Sequence, residues 1–66
     1  MSIKTDDVVT IFSTPTTYEA PITRVDEDSE VFLVTLKAGG RMAFNFPNPF
    51  GNCEGVGHKL TAKVKG

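Results

Sequence analysis

Apolar and polar positions alternate with a period of two over much of the chain, which is the spacing of strands. Residues 41–46 read RMAFNF, with Met42, Phe44 and Phe46 on one side and Arg41, Ala43 and Asn45 on the other. Residues 31–36 read VFLVTL and are dense in β-formers. In HKLTAKVK, residues 58–65, His58, Leu60, Ala62 and Val64 fall inward while Lys59, Thr61, Lys63 and Lys65 fall outward. VVTIF at 8–12 puts Val8 and Phe12 on one face and Val9 and Ile11 on the other. APITRV at 20–25 is a shorter strand, and its Pro21 asks for a strand start or an edge. Strands are therefore expected near 7–12, 20–25, 30–37, 41–46 and 58–65. The β-branched density argues against any long helix.

Ala38-Gly39-Gly40 divides the two most apolar runs, and residues 30–50 hold four of the five phenylalanines. A β-hairpin is expected there. A two-residue Gly39-Gly40 turn would set Lys37 against Met42 and Thr35 against Phe44, bringing polar side chains onto the aromatic face. A three-residue loop, 38–40, sets Leu36 against Met42, Val34 against Phe44 and Phe32 against Phe46. All six apolar side chains then share a face, and Gly40 takes the positive φ of a type I turn with a bulge. A one-residue slip inverts every side chain. The pattern therefore favours the second register.

The segments between strands carry the turn chemistry. Residues 13–19 read as a polar loop, broken by Pro15, with Tyr18 lying over the small core or offered to a partner. Asp26-Glu27-Asp28-Ser29 reads as a solvated acidic turn. Residues 46–57 contain two prolines and three glycines and read as a long irregular loop, with Phe50 and Val56 plugging it onto the core. Loops of that length are often functional. The whole of 1–66 is expected to be one small β domain, with 1–5 a loose leader from which Ile3 could pack.

Composition narrows the fold. A chain of 66 residues builds only a small core, and small scaffolds lean on disulfides, metals or assembly. Cys53 is the single cysteine, so no internal disulfide forms, and a lone thiol suits a reducing compartment. The first ten residues lack the apolar run of a signal peptide, and no stretch has the length of a membrane helix. A soluble, cytoplasmic protein is expected. The expected architecture is all-β: a small antiparallel five-stranded barrel or sandwich. In strand count it resembles SH3-like barrels. The alternative is an open antiparallel sheet completed by dimerisation.

Charge is unevenly spread. Residues 1–30 hold seven acids against two bases, net −5, and residues 31–66 hold five bases against one acid, net +4. Such a gradient can attract a charged partner. Opposite charges on neighbouring strands account for it more simply.

No catalytic residue, cofactor or metal is implied. Cys53 and His58, with Glu54 between them, fall short of a ligand set unless an oligomer completes it. A Cys–His nucleophilic pair would need a cleft and an oxyanion hole that so short a chain has little room for. Gly55-Val56-Gly57 is too short for a dinucleotide fingerprint. Asn48-Pro49-Phe50 is similar to the tripeptide that EH domains recognise, although Asn-Pro turn chemistry explains it better.

The expected function is non-enzymatic binding of a protein partner through Tyr18, Pro47, Asn48, Pro49 and Phe50. Short, motif-free chains are often small accessory or inhibitory proteins, including those of phages and mobile elements. One alternative is a small-barrel nucleic-acid-binding protein contacting phosphate through Arg41, Lys59, Lys63 and Lys65. The pI of about 5.6 opposes a general basic footprint. Another alternative is a small-molecule-binding homo-oligomer. The lysines of 58–65 would otherwise guard an exposed strand edge.

Overall fold

The computed structural model describes residues 3–13 and 15–65. It contains β1 (Val8–Ser13), β2 (Thr16–Asp26), β3 (Val31–Thr35), β4 (Arg41–Asn45), β5 (Asn52–Glu54) and β6 (Thr61–Lys65). The strands form one antiparallel sheet in the order β4-β3-β2-β1-β6-β5. Its two ends come together where Phe44 of β4 bridges Gly55 just past β5. Val56 N–H donates to Ala43 O (3.0 Å) and Asn45 Nδ2 to Glu54 O (3.4 Å) across the same seam. The result is a nearly closed barrel with six strands rather than five, and the sheet meets itself rather than staying open.

β2 makes the barrel possible. Its 11 residues serve two neighbours in turn. The first part pairs with β1, Val9 opposite Ala20 and Ile11 opposite Tyr18. The second part pairs with β3, Ile22 opposite Val34 and Val25 opposite Phe32, with a register shift between Ile22 and Arg24. A bulge at that point bends and twists a strand, which is how one strand turns the corner between two sheets.

The inward faces are those that the alternation implies. Val9, Ile11, Ala20, Ile22, Phe32, Val34, Phe44, Cys53 and Ala62 are buried and form one core. Ile3, Val25, Leu36, Met42, Leu60 and Val64 pack around it. Ile3 packs on the core, as the pattern allowed, and Lys4 N–H donates to Asp7 Oδ2 (3.0 Å). The first two residues of the expected leader lie outside the described residues. Phe32 and Phe44 meet across the hairpin with ring planes tilted by 36° and centroids 5.8 Å apart.

That hairpin forms, but in another register. Val34 opposes Met42, Phe32 opposes Phe44 and Thr35 opposes Arg41. Leu36 N–H donates to Gly40 O (2.7 Å) and Gly39 N–H to Leu36 O (2.9 Å). The loop is thus Lys37-Ala38-Gly39, and Gly39, not Gly40, holds the positive φ of 98°. The turn type is the expected one, set one residue earlier. Moving the loop by one residue shifts the pairing by two, so every side chain keeps its face. Phe46 consequently leaves the strand, and its N–H donates to Glu30 O (2.8 Å).

Three further expectations change. Residues 16–19 are strand rather than loop, so Tyr18 lies within β2; Thr14 of the expected loop is outside the described residues. Residues 52–54 form β5, which pairs with β6, Cys53 opposite Ala62. β6 begins at Thr61 rather than near residue 58, because 56–59 turn back toward β4. β6 lies between β1 and β5, so its lysines do not guard an open edge.

Candidate interaction site

The segment after β4 is organised by Asn48. Its N–H donates to Asn52 O (2.9 Å), and its carbonyl accepts from Gly51 N–H (2.8 Å). Gly51 has φ of 88°. Those bonds repeat the pattern at 36–40, with Pro49-Phe50-Gly51 in place of Lys37-Ala38-Gly39. Pro49 supplies a φ that suits the first turn position, and the glycine supplies the left-handed one. Asn48 Oδ1 also accepts from Phe50 N–H (2.9 Å) and Asn52 N–H (3.0 Å). An asparagine side chain mimicking backbone in this way is an Asx turn. The expected irregular loop is therefore a tight hairpin turn leading into β5.

Phe50 does not plug the core. It is 83% exposed at the tip of that turn, and Val56 is 44% exposed. Pro47, Asn48, Pro49 and Gly51 line a shallow concavity of about 340 Å³ beside it. The four loop residues expected to bind a partner are thus brought together.

Tyr18 is not among them. It is 37% exposed, opposite Ile11, and lines a separate cleft of about 410 Å³ with Glu19, Leu36, Lys37 and Ala38. That cleft adjoins the turn entering β4, whereas 47–51 follow the strand's exit. Five residues of strand separate the two places by roughly 13 Å or more.

The cations are divided as well. Lys65 Nζ lies 2.8 Å from Glu19 Oε2, joining β6 to the acidic first half of the chain across β1. Opposite charges on nearby strands do support each other here, weakly, since both side chains are exposed. Lys63 pairs along the ladder with Thr10 and Asn52. Lys59 belongs to the 56–59 turn, which bonds to Ala43, two residues along β4 from Arg41. At the acidic turn, Asp26 Oδ1 accepts from Asp28 N–H (3.1 Å) and Ser29 N–H (3.3 Å), so this carboxylate is spent on its own loop.

Cys53 and His58 take structural positions. Cys53 is buried in the core, and burial pushes its thiol up to about 11. His58 Nδ1 accepts from Leu60 N–H (3.2 Å), which leaves Nε2–H to donate to Ala43 O (2.9 Å). The ring stands edge-on to Phe44 at 5.1 Å. It lies so close over Gly55 that any side chain there would strike it. Both ring nitrogens are engaged by backbone, and the imidazole fastens the β5–β6 turn onto β4. Cys53 was the core residue least visible in the sequence; its residue type, among the most often buried, was the available signal.

Comparison with protein-family models, curated proteins and solved structures finds no match.

Proposed function

We propose that this chain is a small protein-binding module whose anchor is Phe50. One observation carries the reading: a phenylalanine 83% exposed on a turn whose backbone is already locked by Asn48. Turn tips usually carry Gly, Asn, Asp or Ser, which cost nothing in water. An aromatic held rigidly outward loses little further entropy on binding and fills a partner's pocket well. Pro47 and Pro49 stiffen the same turn, and Asn48 supplies its frame. The small-barrel architecture, a single core with loops at either end, supports the SH3-like resemblance as part of this reading. An accessory or inhibitory role, without catalysis of its own, is the form of activity that such a module would take.

The test places a photo-crosslinking phenylalanine analogue at position 50 and, as control, at the exposed Val56. Irradiated in extract of the native host, the first should give a discrete adduct that the second does not. Unlabelled wild-type protein should compete it away, and unlabelled Phe50→Ser should not. Equal competition by Phe50→Ser, with its fold intact by circular dichroism, would remove the anchor.

A further inference from the structure

Backbone hydrogen bonding in β2 points to a second contact surface. In an antiparallel ladder, successive residues turn their N–H and C=O alternately to one neighbour and then the other. Ile22 turns toward β1: its N–H donates to Asp7 O (2.8 Å) and its carbonyl accepts from Asp6 N–H (2.8 Å). In the β1–β2 register, Ala20, Tyr18 and Thr16 turn the same way. Thr17, Glu19 and Pro21 therefore present their backbone to the opposite side. β3 occupies that side only from Ile22 onward. Among the described residues, no strand pairs with it along 16–20.

An unpaired edge is ordinarily guarded by lysine, proline or a bulge. Pro21, which has no N–H to leave unsatisfied, closes one end. Residues 16–20 themselves, Thr-Thr-Tyr-Glu-Ala, contain neither lysine nor proline and are rich in strand formers, and their one charge, Glu19, is tied to Lys65. Beside them lies the cleft lined by Tyr18, Glu19, Leu36, Lys37 and Ala38. Tyr18 and Glu19 are consecutive, so their side chains leave β2 on opposite faces. A cleft lined by both opens on the edge of the strand, not on either face. Its volume of about 410 Å³ falls within the range of ligand-taking clefts.

We infer that the 16–20 edge takes up an extended peptide segment of a partner protein as an added strand. Thr17 and Glu19 supply two N–H donors and two carbonyl acceptors at strand spacing, a pattern met by another extended backbone. Tyr18, Leu36 and Ala38 receive one apolar side chain of that peptide. The cleft between Tyr18-Glu19 and Leu36–Ala38 holds about 410 Å³, the room of a short extended segment and not of a second folded barrel. Glu19 carries its own counter-ion in Lys65, so its charge does not repel an incoming chain. The inference shares with the preceding section only the premise that the partner is a protein, since it uses neither Phe50 nor its turn.

The probe is a display library of random dodecapeptides, selected on the wild-type protein. Thr17→Pro removes an outward N–H while sparing the β1–β2 ladder. Selected peptides should bind this variant about tenfold more weakly, as expected for the loss of one or two backbone hydrogen bonds. They should bind Phe50→Ser as they bind wild type, which separates this surface from the proposed anchor. On wild-type protein, peptide should slow hydrogen exchange at Thr17 and Glu19, and that measurement decides if Thr17→Pro unfolds. No enrichment, or no protection of those two amides, would overturn the inference. Protection without peptide in a protein that sediments as a dimer would assign the edge to a second copy and overturn it equally.

Discussion

Replacing Gly55 with alanine tests how the barrel is closed. A Cβ at Gly55 would overlap Cε1 and Nδ1 of the His58 ring and lie 2.7 Å from Nε2. The backbone has little freedom to yield, because Gly55 N–H donates to Leu60 O (2.9 Å) and the residue bridges Phe44. The imidazole must therefore leave. It forfeits its bonds to Ala43 O and Leu60 N–H, each about 0.5–1.5 kcal/mol. It also forfeits its edge-on contact with Phe44, about 0.5–1.5 kcal/mol. Together these give a loss of about 1.5–4.5 kcal/mol. A domain of this length has roughly 3–10 kcal/mol in total, so the melting temperature should fall by roughly 6–36 °C. Thermal and urea melts would compare Gly55→Ala, His58→Ala and the double variant. With no ring to strike, the alanine should add less than about 1 kcal/mol, so the double variant is less destabilised than the sum of the singles. A Gly55→Ala protein within about 0.5 kcal/mol of wild type, or strictly additive costs, would refute the reasoning.

Two other perturbations probe the β3–β4 turn and the buried thiol. Gly39→Ala should destabilise by about 1 kcal/mol because Gly39 holds φ of 98°. Gly40→Ala should cost under about 0.5 kcal/mol, since its Cβ would meet only Leu36 Cδ1 at an ordinary 3.7 Å; urea melts showing the reverse order would restore the register with its bulge at Gly40. Burial raises the Cys53 thiol from 9.0 to about 11, so the unfolded chain ionises first. The thiol's contribution is complete below about pH 9 and is lost as pH rises through about 11, a loss on the order of 2–3 kcal/mol. Urea melts across that range, set against Cys53→Ala to cancel the lysines, should show the extra decline in wild type alone; parallel curves would mean that the thiol is not desolvated.

The faces of the strands were legible because a period of two assigns them without knowledge of pairing. Val9 and Ile11, Phe32 and Val34, Phe44 and Ala62 all face the core as the alternation requires. The hairpin register was not legible for the same reason. Loops at 37–39 and 38–40 give pairings that differ by two residues and bury the same side chains. Both glycines satisfy the turn, so apolar pattern cannot separate them. Residues 16–19 misled because Thr serves turns and strands alike, and the two-neighbour role of β2 is set by β1 and β3 rather than by its own composition. β5 was hidden because Asn-Cys-Glu has no apolar alternation. Of the candidate site, Asn48 and Phe50 were visible through turn chemistry. The exposure of Phe50 was not, because an aromatic beside a small core is ordinarily read as part of it.

The chain contains its own control for the meaning of Phe50. Residues 36–40 and 48–52 make the same turn with the same two backbone bonds and the same left-handed glycine. What the turn requires is common to both: a first residue that tolerates helical φ, and a glycine in third place. Lysine and proline both satisfy the first requirement. The middle position is alanine in one turn and phenylalanine in the other, and both point into solvent. The turn therefore forms without an aromatic at its tip, and the core gains nothing from a ring that is 83% exposed. Asn48 has meanwhile added two side-chain bonds that Leu36, its counterpart, cannot make. The turn carrying the costly residue is also the turn made more rigid. Rigidity that the fold does not need, placed under an aromatic that water disfavours, is the arrangement that lowers the entropic cost of filling a partner's pocket. The open edge of β2 lies beyond the other end of β4, so a partner that used both surfaces would span the barrel.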